Sequence, residues 1–195
     1  MDYQNGFLKV IIGPMFSGKT THLIKTFNKY KLEYNIETIA INHIIDNRYS
    51  NSMIVSHNGE QINCVSCNKL EELTEIDYNK VLNSKCILIN EAQFFPDLYD
   101  WVKEMVENKH KHIYIYGLDG DFKREKFGEI LTLIPICDEI TKLKSKCAFC
   151  EKQNGSFTLR INQNNKEQIL VGSSDLYKPT CRECYNLYSD NYKND

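Results

Sequence analysis

The chain has no long apolar run: none of its 195 residues lies in anything near the roughly 20 consecutive apolar positions that a membrane-spanning helix needs. It also lacks a basic field. Lys and Arg number 24 against 26 Asp and Glu, a formal charge of −2 without any long basic block, so charge alone does not draw it to nucleic acid. Proline is scarce, at four residues, and no linker rich in Pro, Gly or Ser interrupts the sequence. The opening MDYQNGFLKV carries an acid and no basic flank before its apolar segment, unlike a secretory signal. These absences lead to the expectation of a soluble, cytoplasmic protein with no membrane and no nucleic-acid partner.

What is present is an ordinary globular composition, 42% hydrophobic and 26% charged, with strand-like and helix-like segments in alternation. Residues 7–12 (FLKVII), 38–41, 86–89 (CILI) and 112–116 (HIYIY) read as short buried strands. Residues 20–30 and 96–108 read as helices, the first with Leu23, Ile24 and Phe27 on one face, and 70–78 as a further helical segment. Segment 42–61 is polar and irregular and is expected to be a long loop. The alternation argues an α/β fold, a parallel sheet with flanking helices. Near Lys146 the pattern changes to two Cys-x-x-Cys pairs around an expected hairpin of 157–161 with 168–171. The expected organisation is an α/β domain over 1–145, a small cysteine-flanked subdomain over 146–187, and a polar tail over 188–195.

The first strand runs into Gly13-Pro14-Met15-Phe16-Ser17-Gly18-Lys19-Thr20, which fits G-x-x-x-x-G-K-[ST] and precedes a helix, the context this phosphate-binding motif requires. Glycines let the backbone curl so that N–H groups face phosphate oxygens, and the helix N-terminus adds partial positive charge. Lys19 is placed to reach the terminal phosphates, and the Thr20 hydroxyl to ligate Mg2+. The motif implies a nucleoside triphosphate, not what receives its phosphate. Two Cys-x-x-Cys corners, Cys147/Cys150 and Cys181/Cys184, suit a tetrahedral Zn2+ site that would stabilise a module with little core of its own. Cys64 and Cys67 form a third pair without an evident partner, and Cys86 and Cys137 sit in apolar stretches as small core residues. His57 falls in the expected loop and reads as exposed.

GPMFSGKTTHL, DNRYS (46–50), NEAQFFPD, GLDGDFKREKFG (117–128) and the CAFC and CREC pairs occur in this order. Together they resemble the type II, cellular and poxvirus-like, thymidine kinases over about residues 8–185. The resemblance implies transfer of the γ-phosphate of ATP to the 5′-hydroxyl of thymidine or deoxyuridine, Mg2+, a structural Zn2+, a homotetramer and feedback inhibition by dTTP. It further implies Glu91 as general base, Arg48 as charge stabiliser near the phosphates, and Asp46 beside it. For the nucleoside pocket it implies Met15, Phe94, Leu118, Phe122 and Phe127, with Gly172 and Tyr177 in a closing loop. Most members of the family carry Asp-Glu where this chain has Asn90-Glu91. Asparagine can accept a hydrogen bond from a magnesium-bound water but brings no charge. An active enzyme with Asn90 near the magnesium is one expectation; a catalytically impaired nucleotide-binding and nucleoside-binding protein is the alternative.

Overall fold

The computed structural model describes residues 5–46, 52–161, 167–170, 172 and 174–191. Strand β1 (Phe7–Ile12) lies between β7 (His112–Gly117) and β8 (Glu139–Lys142). The sheet continues from β7 through β6 (Cys86–Ile89) and β2 (Thr38–His43) to β5 (Val65–Cys67), and every pairing is parallel. Its central strands are mostly apolar because both faces are covered. Leu8, Val10, Ile87, Ile89, Ile113 and Ile115 point into one core layer, under α3 (Leu98–Lys103). Ile11, Leu88, Tyr114 and Tyr116 point into the other, under α1 (Lys19–Asn28). There Leu23, Ile24 and Phe27 are buried, each contributing about 1.5–3 kcal/mol. The expected α/β architecture is therefore the observed one.

Both long helices end in wider turns, α1 through Glu33 and α3 through Asn108. α2 (Glu75–Asn83) is capped by the Thr74 hydroxyl, which accepts from the Asp77 N–H (3.2 Å). Three expectations require correction. The stretch expected as a loop holds a small antiparallel hairpin, β3 (Met53–Val55) with β4 (Gln61–Asn63), which buries Ile54 and Ile62 against α1 and its neighbours. In the cysteine-flanked module, β9 (Phe157–Arg160) pairs with β10 (Tyr177–Thr180), not with the expected 168–170; position 171 lies outside the described residues. The apolar Ile169 and Leu170 resemble a strand in sequence, yet they serve as cavity wall. Finally, α4 (Arg182–Asn191) continues beyond position 187, where polarity suggests a frayed tail. The Tyr188 ring stacks on Phe149 at 4.1 Å between centroids and holds that turn in place.

Candidate active site

The carboxyl ends of β1, β2, β6 and β7 converge on one cavity of about 550 Å³, the size of a small-molecule site. The loop after β1 forms its floor. Gly13 brings the backbone so close to Leu143 that a Cβ would lie 2.6 Å from the Leu143 carbonyl oxygen, and Gly18 turns into α1 with φ at +83°. No side chain caps α1, so its first N–H groups face the cavity uncommitted to a capping residue. Met15 to Thr20 line the cavity, while Gly13 and Pro14 lie behind and offer their carbonyls to the Lys19 ammonium (3.1 and 2.7 Å). The Ser17 hydroxyl oxygen is buried without a partner among the described residues. Across the sheet, the Met15 N–H donates to Thr158 Oγ1 (3.0 Å), and the Ser145 hydroxyl donates to the Phe16 carbonyl (3.1 Å).

At the end of β6 the backbone turns sharply. Glu91 has φ +50° and ψ +39°, a left-handed conformation that an ordinary residue adopts only where its surroundings enforce it. That turn brings the Glu91 carboxylate to the cavity, where Gln93 Nε2 donates to its Oε2 at 2.8 Å. The other end of the Gln93 amide accepts from the Leu118 N–H (3.0 Å), so one buried side chain joins the ends of β6 and β7. Gly117 and Gly128 leave room for it: a Cβ at the first would lie 2.5 Å from Gln93 Oε1, and at the second 2.0 Å from its carbonyl oxygen.

Asn90 does not line the cavity. It is buried beneath it and donates from Nδ2 to Asn42 Oδ1 (2.9 Å) at the end of β2, which leaves its own Oδ1 as an acceptor. Asp46, Glu91, Phe94, Leu118, Phe122, Phe127, Gly172 and Tyr177 all border the cavity, with Phe94 and Phe127 in edge contact at 5.3 Å. Arg48 lies outside the described residues. Several cavity residues escaped the sequence analysis: Gln93, Asp121, Thr158 and Gln168. His57, expected to be a plain loop histidine, is exposed on the β3–β4 hairpin but faces the cavity beside Phe16, at 5.7 Å between rings.

Behind the cavity the sulfurs of Cys147, Cys150, Cys181 and Cys184 all lie within 4.8 Å of one another. Cys150 and Cys181 are 3.8 Å apart, close to the spacing of about 3.8 Å that four Zn–S bonds of about 2.3 Å impose in a tetrahedron. Burial opposes ionisation of Cys147, but backbone N–H groups of Cys150, Cys181 and Phe149 converge on its sulfur and bring its pKa down to about 6. Burial pushes Cys184 up to about 12, with the neighbouring sulfurs adding to it. Four crowded thiols that disagree in this way suit a cation in their midst, and the cluster fits a structural zinc. Cys64 and Cys67 do not converge: they pack against opposite layers of the core. Burial lifts the thiol pKa of Cys67, and of Cys86, to about 12.

No helix among the described residues is long and apolar enough to cross a membrane. The family model for thymidine kinase matches residues 6–185. A thymidine kinase of Amsacta moorei entomopoxvirus is 44% identical over 92% of the chain and 97% of its own length. Sheeppox virus thymidine kinase is 37% identical, covering 96% of this chain and 99% of the relative. The thymidine kinase of Mycoplasma mobile is also 37% identical, over 94% and 88%.

Proposed function

The chain belongs to the thymidine kinase family, and from that premise we propose that Glu91 is the general base of its reaction, ATP-dependent phosphorylation of thymidine at the 5′-hydroxyl. The observation that carries the assignment is that Glu91 faces the same cavity as the phosphate-binding loop, on a backbone turned left-handed and with its carboxylate steadied by Gln93. A 5′-hydroxyl sheds its proton as it attacks, and a carboxylate beside the γ-phosphate takes it, worth about 10²- to 10⁴-fold. Lys19 moves from the loop carbonyls to the terminal phosphates, and the N–H groups of the loop and of α1 carry the remaining charge. Arg48 adds a guanidinium in this reading, with Asp46 beside it. Mg2+, held by Thr20 and reached through water by Asn90 Oδ1, would neutralise phosphate charge.

The nucleoside lies in the apolar half, among Met15, Phe94, Leu118, Phe122 and Phe127, with Gly172 and Tyr177 closing over it; deoxyuridine fits the same slot. The alternative of a protein impaired by Asn90 finds no support: relatives aligned along nearly the whole chain are named thymidine kinases. Cytoplasmic location, a homotetramer and feedback by dTTP complete the reading, the tetramer supported by apolar residues left exposed, Leu32 at 74% and Ile140 on edge strand β8 at 48%. Light scattering would measure the assembly, and a monomer at assay concentration refutes it. Glu91→Gln is the test of the base: kcat should fall about 100-fold or more with both KM values near wild type. A variant retaining over half the wild-type kcat would remove Glu91 from that role.

A further inference from the structure

Arg160 is the largest side chain fully sealed from solvent among the described residues, and it is a cation. Its Nη1 donates to the Glu167 carbonyl (2.7 Å), and its Nη2 donates to the Gln168 carbonyl (3.1 Å) and the Tyr177 hydroxyl (2.8 Å). The Tyr177 hydroxyl in turn donates to the Leu170 carbonyl (2.8 Å). The guanidinium lies over the Phe122 ring, 3.7 Å from its centroid. From the other side, Gln168 Nε2 donates to Asp121 Oδ2 (2.9 Å), and the second oxygen of that buried carboxylate accepts from the Lys123 and Glu125 N–H groups. Phe122, Gln168 and Tyr177, which Arg160 touches, line the cavity, but Arg160 itself does not.

We propose that Arg160 is the positioning residue of the nucleoside pocket: one buried guanidinium fixes segment 167–170, Tyr177 and Phe122 in the arrangement that walls the substrate. This rests on the reading that these residues close over thymidine. Sealing a guanidinium from water is costly, and an apolar residue of the same volume would fill the space with no such cost. What the apolar residue cannot do is bond two successive carbonyls and a hydroxyl with one flat fork, the geometry particular to arginine. Segment 167–170 has no regular structure and is largely exposed, so the bonds from Arg160 to two of its carbonyls tie it to β9. Strand periodicity also puts Arg160 on the face of β9 that carries Thr158, the residue bonded to the Met15 N–H, so the lid and the phosphate loop hang from one strand.

The test uses the full, zinc-loaded chain as wild type, Arg160→Met, Arg160→Lys and Tyr177→Phe. Amide hydrogen exchange, which requires no substrate, reads the tether directly. Residues 167–170 should exchange about 10-fold faster or more in Arg160→Met and by a smaller factor in Tyr177→Phe, with the central strands unchanged. In steady-state assays Arg160→Met should raise the thymidine KM about 10-fold or more, leave the ATP KM within about twofold, and keep its zinc. Arg160→Lys should recover part of the loss, since an ammonium reaches one carbonyl but cannot fork. Unchanged exchange at 167–170 overturns the proposal, as does a rise in both KM values together with loss of zinc. Should Arg160→Met fail to fold, Arg160→Lys and Tyr177→Phe decide: wild-type exchange and thymidine KM in both overturn it. Failure of the wild type to phosphorylate thymidine would instead count against the reaction, which the exchange measurement does not depend on.

Discussion

Replacing Asn90 by aspartate sets two consequences against each other. Asn90 and Asn42 are buried, and the bond between them runs from the Asn90 amide nitrogen to the Asn42 amide oxygen. An aspartate has no hydrogen to give there, so two acceptors would meet about 3 Å apart. Either the contact is left unsatisfied, at about 1–3 kcal/mol, or the Asn42 amide turns over and donates to the new carboxylate, while burial of the charge opposes the gain. Asn90→Asp should therefore lower stability by about 1–3 kcal/mol in the absence of magnesium. A charge-assisted hydrogen bond exceeds a neutral one by about 1 kcal/mol, so the magnesium midpoint for turnover should fall about fivefold. Urea unfolding with and without magnesium reads the first effect, and thymidine phosphorylation across a magnesium titration reads the second. Asn42→Asp is the control, since a carboxylate at that end of the pair still accepts from the Asn90 amide and keeps the bond. If Asn90→Asp changes neither stability nor the magnesium midpoint, the amide pair does not do what its geometry implies.

Gly128→Ala should be among the most disruptive single changes, costing about 2 kcal/mol or more. Its methyl would meet the Gln93 carbonyl at 2.0 Å, at a φ of +60°, and thermal melts of the variant would show the loss. Removing zinc should weaken thymidine before ATP: the Tyr185 hydroxyl of α4 donates to the Phe122 carbonyl (2.5 Å), and the Arg124 guanidinium stacks on Tyr185 at 4.2 Å. Binding titrations after chelation would measure this, and an equal loss for both ligands would contradict it. Burial lowers the pKa of His22, His43 and His112, so the unfolded chain takes up more protons than the folded one below about pH 6.5. Stability should fall as pH drops through that value, and His43→Gln should flatten the slope in urea midpoints collected from about pH 7.5 to 5.5.

The glycine-rich loop after β1, the central strands and the four-cysteine cluster are legible in the sequence because each follows a local rule: a spacing, a period or a pair of corners. β5 and β8 are not. Glu139-Ile-Thr-Lys142 is mostly exposed and becomes a strand only because β1 offers an edge. The β9–β10 pairing is hidden because two long-range partners outcompete the apolar run of 169–170, which is drawn to the cavity instead. Gln93 stands between two recognised positions, yet its importance comes from Leu118 and Gly128, which lie far from it in sequence. Arg160 had one available signal, a lone charge alternating with Thr158 in an otherwise strand-like FTLRI.

The position of β1 has a consequence during synthesis. It is made before the other described strands, yet its neighbours are residues 112–117 and 139–142. At about 5–20 residues per second, a ribosome leaves this very apolar strand without its first partner for roughly 5–20 s. Any intermediate made of the early chain alone carries β1 with both edges open, a template for pairing with the wrong molecule. Truncations before β7 should therefore gather into inclusion bodies rather than yield a smaller nucleotide-binding unit, and holdase chaperones should meet the nascent chain at β1.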